Sequence, residues 1–182
     1  GRWRQLAVFP LFVLGFAIRG PLGLIEVCGV ACVYWALGRP GERVRQVLIH
    51  GVIGLLLLAC CWWLLMQLAR ISGGQAFADE VFKMQVGGRL DESGEPFYFY
   101  FQLSVYRYFP VVPLALATLI ALRYRWAERF VNDDVQLVVR LGACGLMILL
   151  GLSVPHFKRA YYILPMVPLF AAVAAYGLLQ AQ

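Results

Sequence analysis

The chain has 182 residues, of which 62% are hydrophobic and only 14% charged, with a formal net charge of +6. Soluble domains carry about 25% charged residues. Here the apolar residues come in long runs broken by short polar patches, which excludes an ordinary soluble domain and points to an all-α, polytopic transmembrane helix bundle. The positive charge does not mark a nucleic-acid binder, because there is no basic domain or RNA-binding signature and arginines at helix ends are what cytoplasmic loops carry.

The chain opens with Gly1, then Arg2-Trp3-Arg4 and an apolar run. That run ends in Arg19-Gly20-Pro21 without a small-residue cleavage site, so it reads as a fragment starting at a helix boundary and not as a signal peptide. Residues 5–18 form a first apolar segment, short for a span at about 1.5 Å per residue. Gly20-Pro21 breaks it, and residues 22–37 form a second. A basic loop from Arg39 to Arg45 precedes residues 47–69, the clearest span. Residues 70–96 read as a polar outer loop, within which Ala76–Phe82 has the pattern of a short amphipathic helix. The aromatic run Phe97–Phe101 starts a fourth span, which reaches Leu122 with Pro110 and Pro113 inside it. After a second basic loop, Arg123–Arg129, residues 135–152 and 161–179 make the fifth and sixth spans, joined by a turn at 153–160. The whole, residues 1–182, reads as a single transmembrane domain of about six spans, with no linker or convincing repeat.

Orientation follows from the short loops. Those at 39–46 and 123–130 each hold three arginines, which assigns them to the cytoplasm, and six spans then put both ends of the chain there. Three places face outward: Arg19-Gly20-Pro21, the segment 70–96, and the turn 153–160. Parity therefore sets Arg19, Arg89, His156, Lys158 and Arg159 on the extracytoplasmic side, against the usual charge bias. Cations held there beside apolar helices suit an anionic lipid headgroup or a phosphate, Arg as a planar fork and Lys as a point charge. The plainer reading is that they are interfacial side chains snorkelling to lipid phosphates without specificity.

Other residues carry less. Glu26 lies inside the second segment, where a carboxylate is costly, and is expected to face the bundle and pair with Arg19. Arg140 most simply snorkels at the cytoplasmic end of its span. Asp79 and Glu80 have the chemistry of a general base, but nothing singles either out, and acids that merely solvate a loop look the same. The five cysteines lie in apolar runs without metal-ligand spacing and read as small hydrophobes. Trp62 and Trp63 would either pack on neighbouring helices or line a lipid groove.

Three stretches, taken in order, carry a family resemblance. Leu14-Gly-Phe-Ala-Ile-Arg-Gly-Pro-Leu-Gly-Leu-Ile25 looks like an "L-T-K-G-P-x-G-L" segment. Gly74–Phe77 through Arg89, then Glu95-Pro-Phe-Tyr-Phe-Tyr100, is similar to an outer loop with an arginine followed by "P-W/F-x-Y-Y". Lys158-Arg-Ala-Tyr-Tyr-Ile-Leu-Pro165, followed by Pro168, looks like "K-x-x-x-Y-x-L-P-x-x-P". Together they resemble the C-terminal half of the transmembrane region in bacterial lipid-linked sugar transferases of the dolichyl-phosphate-mannose protein mannosyltransferase type, the lipid A aminoarabinose transferases among them. The resemblance implies part of a larger membrane-embedded glycosyltransferase of the bacterial inner membrane. Such an enzyme passes a sugar from a polyprenyl phosphate to a lipid, protein or glycan acceptor on the outer face.

Carried over by position, Arg19 replaces a lysine, Arg89 matches the loop arginine and Lys158 the lysine before Tyr162. These would bind the lipid phosphate or order the loop above it. The family's catalytic acids sit in a first outer loop with no counterpart here, so no catalytic residue is assigned and the chain alone is expected to be inactive. No cofactor is implied beyond the lipid-linked donor. A divalent metal is compatible with such chemistry, but no ligand set is assignable. A transporter with proline-broken helices, or a non-catalytic membrane scaffold, are the alternatives from other classes.

Overall fold

In the computed structural model, residues 7–38, 40–87, 95–125, 128, 131–155 and 158–181 are described. Among them every regular element is helical. Hydrocarbon offers no hydrogen-bond partners, so a chain this apolar has to satisfy its backbone within helices.

The first two apolar segments are helices α1 (Val8–Arg19) and α2 (Pro21–Ala36), separated by a single residue. Gly20 has φ 67° and ψ −152°, a conformation that favours glycine, and Pro21 starts α2 at a position where its missing N–H costs nothing. The two helices then meet at glycines. A Cβ on Gly15 would lie 2.7 Å from the carbonyl oxygen of Gly23, and one on Gly23 would overlap the carbonyl of Gly15. This is the small-residue packing by which apolar helices associate where burial of apolar surface gives no driving force.

Helix α3 (Pro40–Phe82) runs on where a loop was expected, through Arg70 and Ile71, and breaks at Gly74, whose φ is 74°. The chain folds back there, so that the Phe82 ring meets Trp62 with centroids 6.0 Å apart. A π-helical turn at Lys83–Gly87 follows. The expected outer loop 70–96 is thus helical as far as residue 87, and the amphipathic Ala76–Phe82 helix is the returning arm of α3. Ala78, fully buried, is where that arm packs. Trp62 packs against this arm, while Trp63 stays 61% exposed.

The expected fourth span is not straight. Helices α4 (Phe99–Arg107) and α5 (Val111–Tyr124) meet at an angle of 106°. Helix α6 (Asp133–Ser153) starts on Asn132, whose side chain accepts from the N–H groups of Asp134 at 2.9 Å and Val135 at 3.3 Å. Asp133 and Asp134 add negative charge at the positive end of its dipole. A 3₁₀ turn (Ala160–Met166) leads into α7 (Val167–Gln180), with Pro168 in the first turn of that helix.

Six spans are not what the lengths give. Among the described residues, three helical stretches are long and apolar enough to cross a membrane, Arg43–Gly87, Asp133–Ser153 and Ala160–Gln180, or four if α4 and α5 count as one broken span. Helices α1 and α2, about 18 and 24 Å long, fall short of a hydrocarbon core about 30 Å thick. The hairpin itself adds an even number of crossings, two if it spans and none if it enters and returns, so the relative sides of the later turns do not depend on it.

The core gathers around α6, 56% of whose most apolar stretch is buried, against 11% for α3. Val112 and Ala115 of α5, Val138, Ile148 and Leu152 of α6, and Phe170 and Val173 of α7 form one buried cluster with Tyr100. Helix α2 joins the N-terminal helices to it, with the Cys144 thiol donating to the Val30 carbonyl at 3.6 Å. The cysteines are free; those of residues 28, 32 and 144 donate to backbone carbonyls of neighbouring helices, as small interior side chains do.

The glycine contact gives a test. Gly23→Ala places a methyl against the Gly15 backbone and is expected to cost about 1–3 kcal/mol, read as a lower unfolding temperature in detergent. Gly41→Ala, with nothing within 4 Å of its Cβ position, should leave that temperature unchanged or raise it.

Candidate functional site

The three stretches that sequence parity placed on one side meet at one end of the bundle. Gly20, between α1 and α2, lies against Gln85 of the π-helical turn, whose Oε1 would be 2.5 Å from a Cβ there. The Arg19 guanidinium stacks on the Tyr162 ring, Cζ 4.0 Å from the centroid. Tyr100 at the start of α4 reaches the backbone of Arg159, and the Lys158 ammonium donates to the Glu95 carbonyl at 2.8 Å. Arg19, Lys158 and Arg159, three of the five cations singled out in the sequence, therefore share one neighbourhood. Arg89 and His156, the other two, lie outside the described residues.

Local structure explains how each cation is held. Arg19 is the last residue of α1, a position that favours a cation because helix C-termini carry partial negative charge. Its Nη1 donates to Glu26 Oε2 at 2.9 Å, and the side chains of the pair are 23% and 14% exposed. The ion pair expected from sequence is present, formed across the Gly20-Pro21 corner. The Tyr162 face adds a cation–π contact worth about 0.5–2 kcal/mol. Lys158 is drawn below the ordinary lysine range by partial burial, an effect that the Glu95 carboxylate opposes. Arg159 is exposed, and its Nη1 lies 3.2 Å from the Tyr161 hydroxyl.

Sequence reasoning missed Tyr100. Its ring is fully buried, and its hydroxyl accepts from the Arg159 N–H at 3.0 Å and donates to the Arg159 carbonyl at 3.1 Å. The sequence placed it in an aromatic run, which reads equally well as an interfacial belt, and at the end of the Glu95–Tyr100 stretch of the resemblance, but neither gave it a role. Tyr162 was noted only as the tyrosine inside the Lys158–Pro168 motif, and its ring turns out to be the surface on which Arg19 lies.

The opposite end is built differently. The Arg140 guanidinium sits 4.6 Å over the Tyr34 ring and packs against Gly38, so this arginine is lodged between helices, where the sequence suggested snorkelling. Arg125 and Glu128 pair at 2.6 Å on the surface, which holds the Glu128 carboxyl below its usual range. His50 is buried between Phe9 and Trp35, and its Nδ1 lies 2.8 Å from the Gln46 carbonyl. Among the described residues, two open apolar grooves stand out. One of about 390 Å³ lies between α5 and α7, along Thr118 and Gly177, and the other lies along Gln102, Tyr106 and Phe109. Neither includes Arg19, Lys158 or Arg159. Among the described residues no three His, Cys, Asp or Glu side chains converge as metal ligands would.

Chemically, the cation end can bind and orient an anion. Arg19 and Arg159 supply planar donor forks, Lys158 a point charge, and Tyr161 and Tyr162 flank them. Glu26 and Glu95 offset part of the positive charge, so the end is tuned and not simply basic.

No family model matches the chain, and neither the curated proteins nor the solved structures provide a match. What the fold defines, among the described residues, is an all-helical architecture with three or four candidate membrane spans and a cation cluster at one end.

The Arg19–Glu26 pair is testable. Its partial exposure sets it between a surface pair, worth about 0–1 kcal/mol, and a buried one, whose disruption costs about 3–5 kcal/mol. Glu26→Ala is expected to fall between these, at about 1–3 kcal/mol in thermal unfolding, with Glu26→Gln costing less because an amide still accepts from Arg19.

Proposed function

We propose that this chain forms part of a membrane-embedded glycosyltransferase that takes a sugar from a polyprenyl phosphate on the extracytoplasmic face of a bacterial inner membrane. The observation that supports this most directly is the convergence of Arg19, Lys158 and Arg159 from two stretches 139 residues apart (19 to 158), beside the tyrosines 161 and 162. Those are two of the three stretches that carry the resemblance, and the third supplies Tyr100 and Glu95 to the same end.

In this reading the cations stabilise the phosphate as its bond to the sugar breaks, which is where negative charge grows. The returning arm of α3, which ends in the π-helical turn against Gly20, stands beside the site as a cover. The acceptor would be deprotonated by a carboxylate that is not assigned to any residue here. Arg89 and His156 remain candidates for the same phosphate. Both ends of the chain then lie in the cytoplasm. A transporter is the second reading, motivated by the 106° break between α4 and α5.

Arg19→Ala and Lys158→Ala in the intact protein should each remove a charge-assisted contact worth about 1.5–3 kcal/mol. Affinity for the polyprenyl-phosphate sugar should fall roughly 10- to 100-fold, with turnover falling too. Unchanged binding and turnover in both would sink the phosphate site, and solute uptake into liposomes without sugar transfer would favour the transporter.

Sidedness has its own measurement. Ser153 is 1% exposed and unsuited to labelling, whereas Val154 is 67% exposed and Val131, at the other end, 89%. In a background lacking the native cysteines, Val154→Cys should react with an impermeant reagent from outside and Val131→Cys only after permeabilisation. The reverse pattern rules out an extracytoplasmic site.

A further inference from the structure

Arg159 sits where the regular backbone of this chain stops. Helix α6 ends at Ser153, the 3₁₀ turn begins at Ala160, and Arg159 between them is extended, with φ −131° and ψ 137°. Its N–H therefore has no helical carbonyl to bond, and in or near a membrane such a group needs another partner. That partner is a side chain 59 residues earlier. The Tyr100 hydroxyl takes the Arg159 N–H at 3.0 Å and gives its own proton to the Arg159 carbonyl at 3.1 Å, a carbonyl that also accepts from the Tyr162 N–H at 3.0 Å. One oxygen thus fixes both backbone groups of a single residue.

The anchor itself does not move easily. Tyr100 is fully buried, its ring packs edge-on to Phe99 at 5.3 Å, and the Ser104 hydroxyl bonds back to its carbonyl. Five residues before it, the Glu95 carbonyl receives the Lys158 ammonium at 2.8 Å. The segment 95–100 therefore holds both Lys158, by its side chain, and Arg159, by its backbone. Tyr162, three residues on, carries Arg19 on its ring. The positions of Lys158 and Arg159 therefore depend on where residue 159 is pinned.

We infer that Tyr100 is a positioning residue for the anion-binding end: through the Arg159 backbone it sets Lys158 and Arg159 in register with Arg19 around a phosphate monoester or diester of a lipid. The inference rests on the function proposed above and deepens it. Tyr100 does not touch the ligand, because its hydroxyl is already used as donor and acceptor and its ring has no exposed surface.

Tyr100→Phe keeps the buried ring and removes only the oxygen. In the intact protein in detergent, with polyprenyl phosphate as the probe and inorganic phosphate in a parallel arm, affinity is expected to drop roughly tenfold. The Arg159 amide should exchange with solvent faster. Tighter binding of the lipid arm would assign the site to a lipid phosphate, and equal binding of both would assign it to the phosphate alone and overturn the lipid part.

The discriminating step repeats the substitution in a Lys158→Ala/Arg159→Ala background. If Tyr100 acts through those cations, its effect disappears there; a merely structural role would persist at full size and overturn the inference. Faster Arg159 exchange with unchanged affinity would overturn it too. Should Tyr100→Phe fail to fold, 4-aminophenylalanine at position 100 keeps the ring and an N–H donor but replaces the oxygen with a poor acceptor. A smaller loss in the same direction is then expected, and unchanged affinity counts against the inference. Loss of affinity in Arg19→Ala and Lys158→Ala without loss in Tyr100→Phe removes this role and leaves the proposed function standing. A wild-type protein that binds no polyprenyl phosphate removes both.

Discussion

The hydroxyl of Tyr100, set between the N–H and the carbonyl of Arg159, is the contact on which one end of this molecule depends. A chain of this composition keeps its backbone satisfied by staying helical, and Arg159 is a described place where it does not. A side chain then has to do what a helix turn does elsewhere. Because that side chain belongs to α4, the contact also ties the broken helix pair α4–α5 to the junction of α6 and α7. The charged residues of the turn are carried on a backbone fixed from the core side.

The N-terminal hairpin reaches the same end by a different route. Gly15 and Gly23 let α1 and α2 approach closely, and Gly20 turns the chain in one residue. That tight corner brings Glu26 back within 2.9 Å of Arg19 and delivers the guanidinium to Tyr162. A carboxylate and a guanidinium near hydrocarbon are each costly alone and tolerable as a pair. The pairing fixes the arginine's direction while leaving its fork as the recognition element.

Much of this was legible from the residues in order. The apolar runs gave the helical class. Loop charges put the Arg19 corner, the stretch after residue 70 and the turn after Ser153 on one side, and all three do lie at one end. Arg19 and Glu26 are seven residues apart, close enough for their pairing to be read from the chain. Illegible were features that depend on where one helix stops against another. The 12 and 16 residues of α1 and α2 look like two weak spans until their length is compared with a bilayer. The polar stretch after residue 70 reads as a loop because its charges hide a helix that turns back on α3 at Gly74. Tyr100 and Arg159 are 59 residues apart, and no local pattern links an aromatic run to a backbone amide.

Composition decided that this chain is helical and membrane-like, because long apolar runs have few other ways to satisfy their backbone. Its prolines, glycines and charges decided where helices end and which corners share a side. The tertiary structure alone decided that Arg19 lies on Tyr162, that Lys158 reaches Glu95, and that Tyr100 holds Arg159. Those contacts join segments far apart in sequence, and their geometry comes from how α4, α6 and the α1–α2 hairpin pack, which no periodicity in the residues encodes.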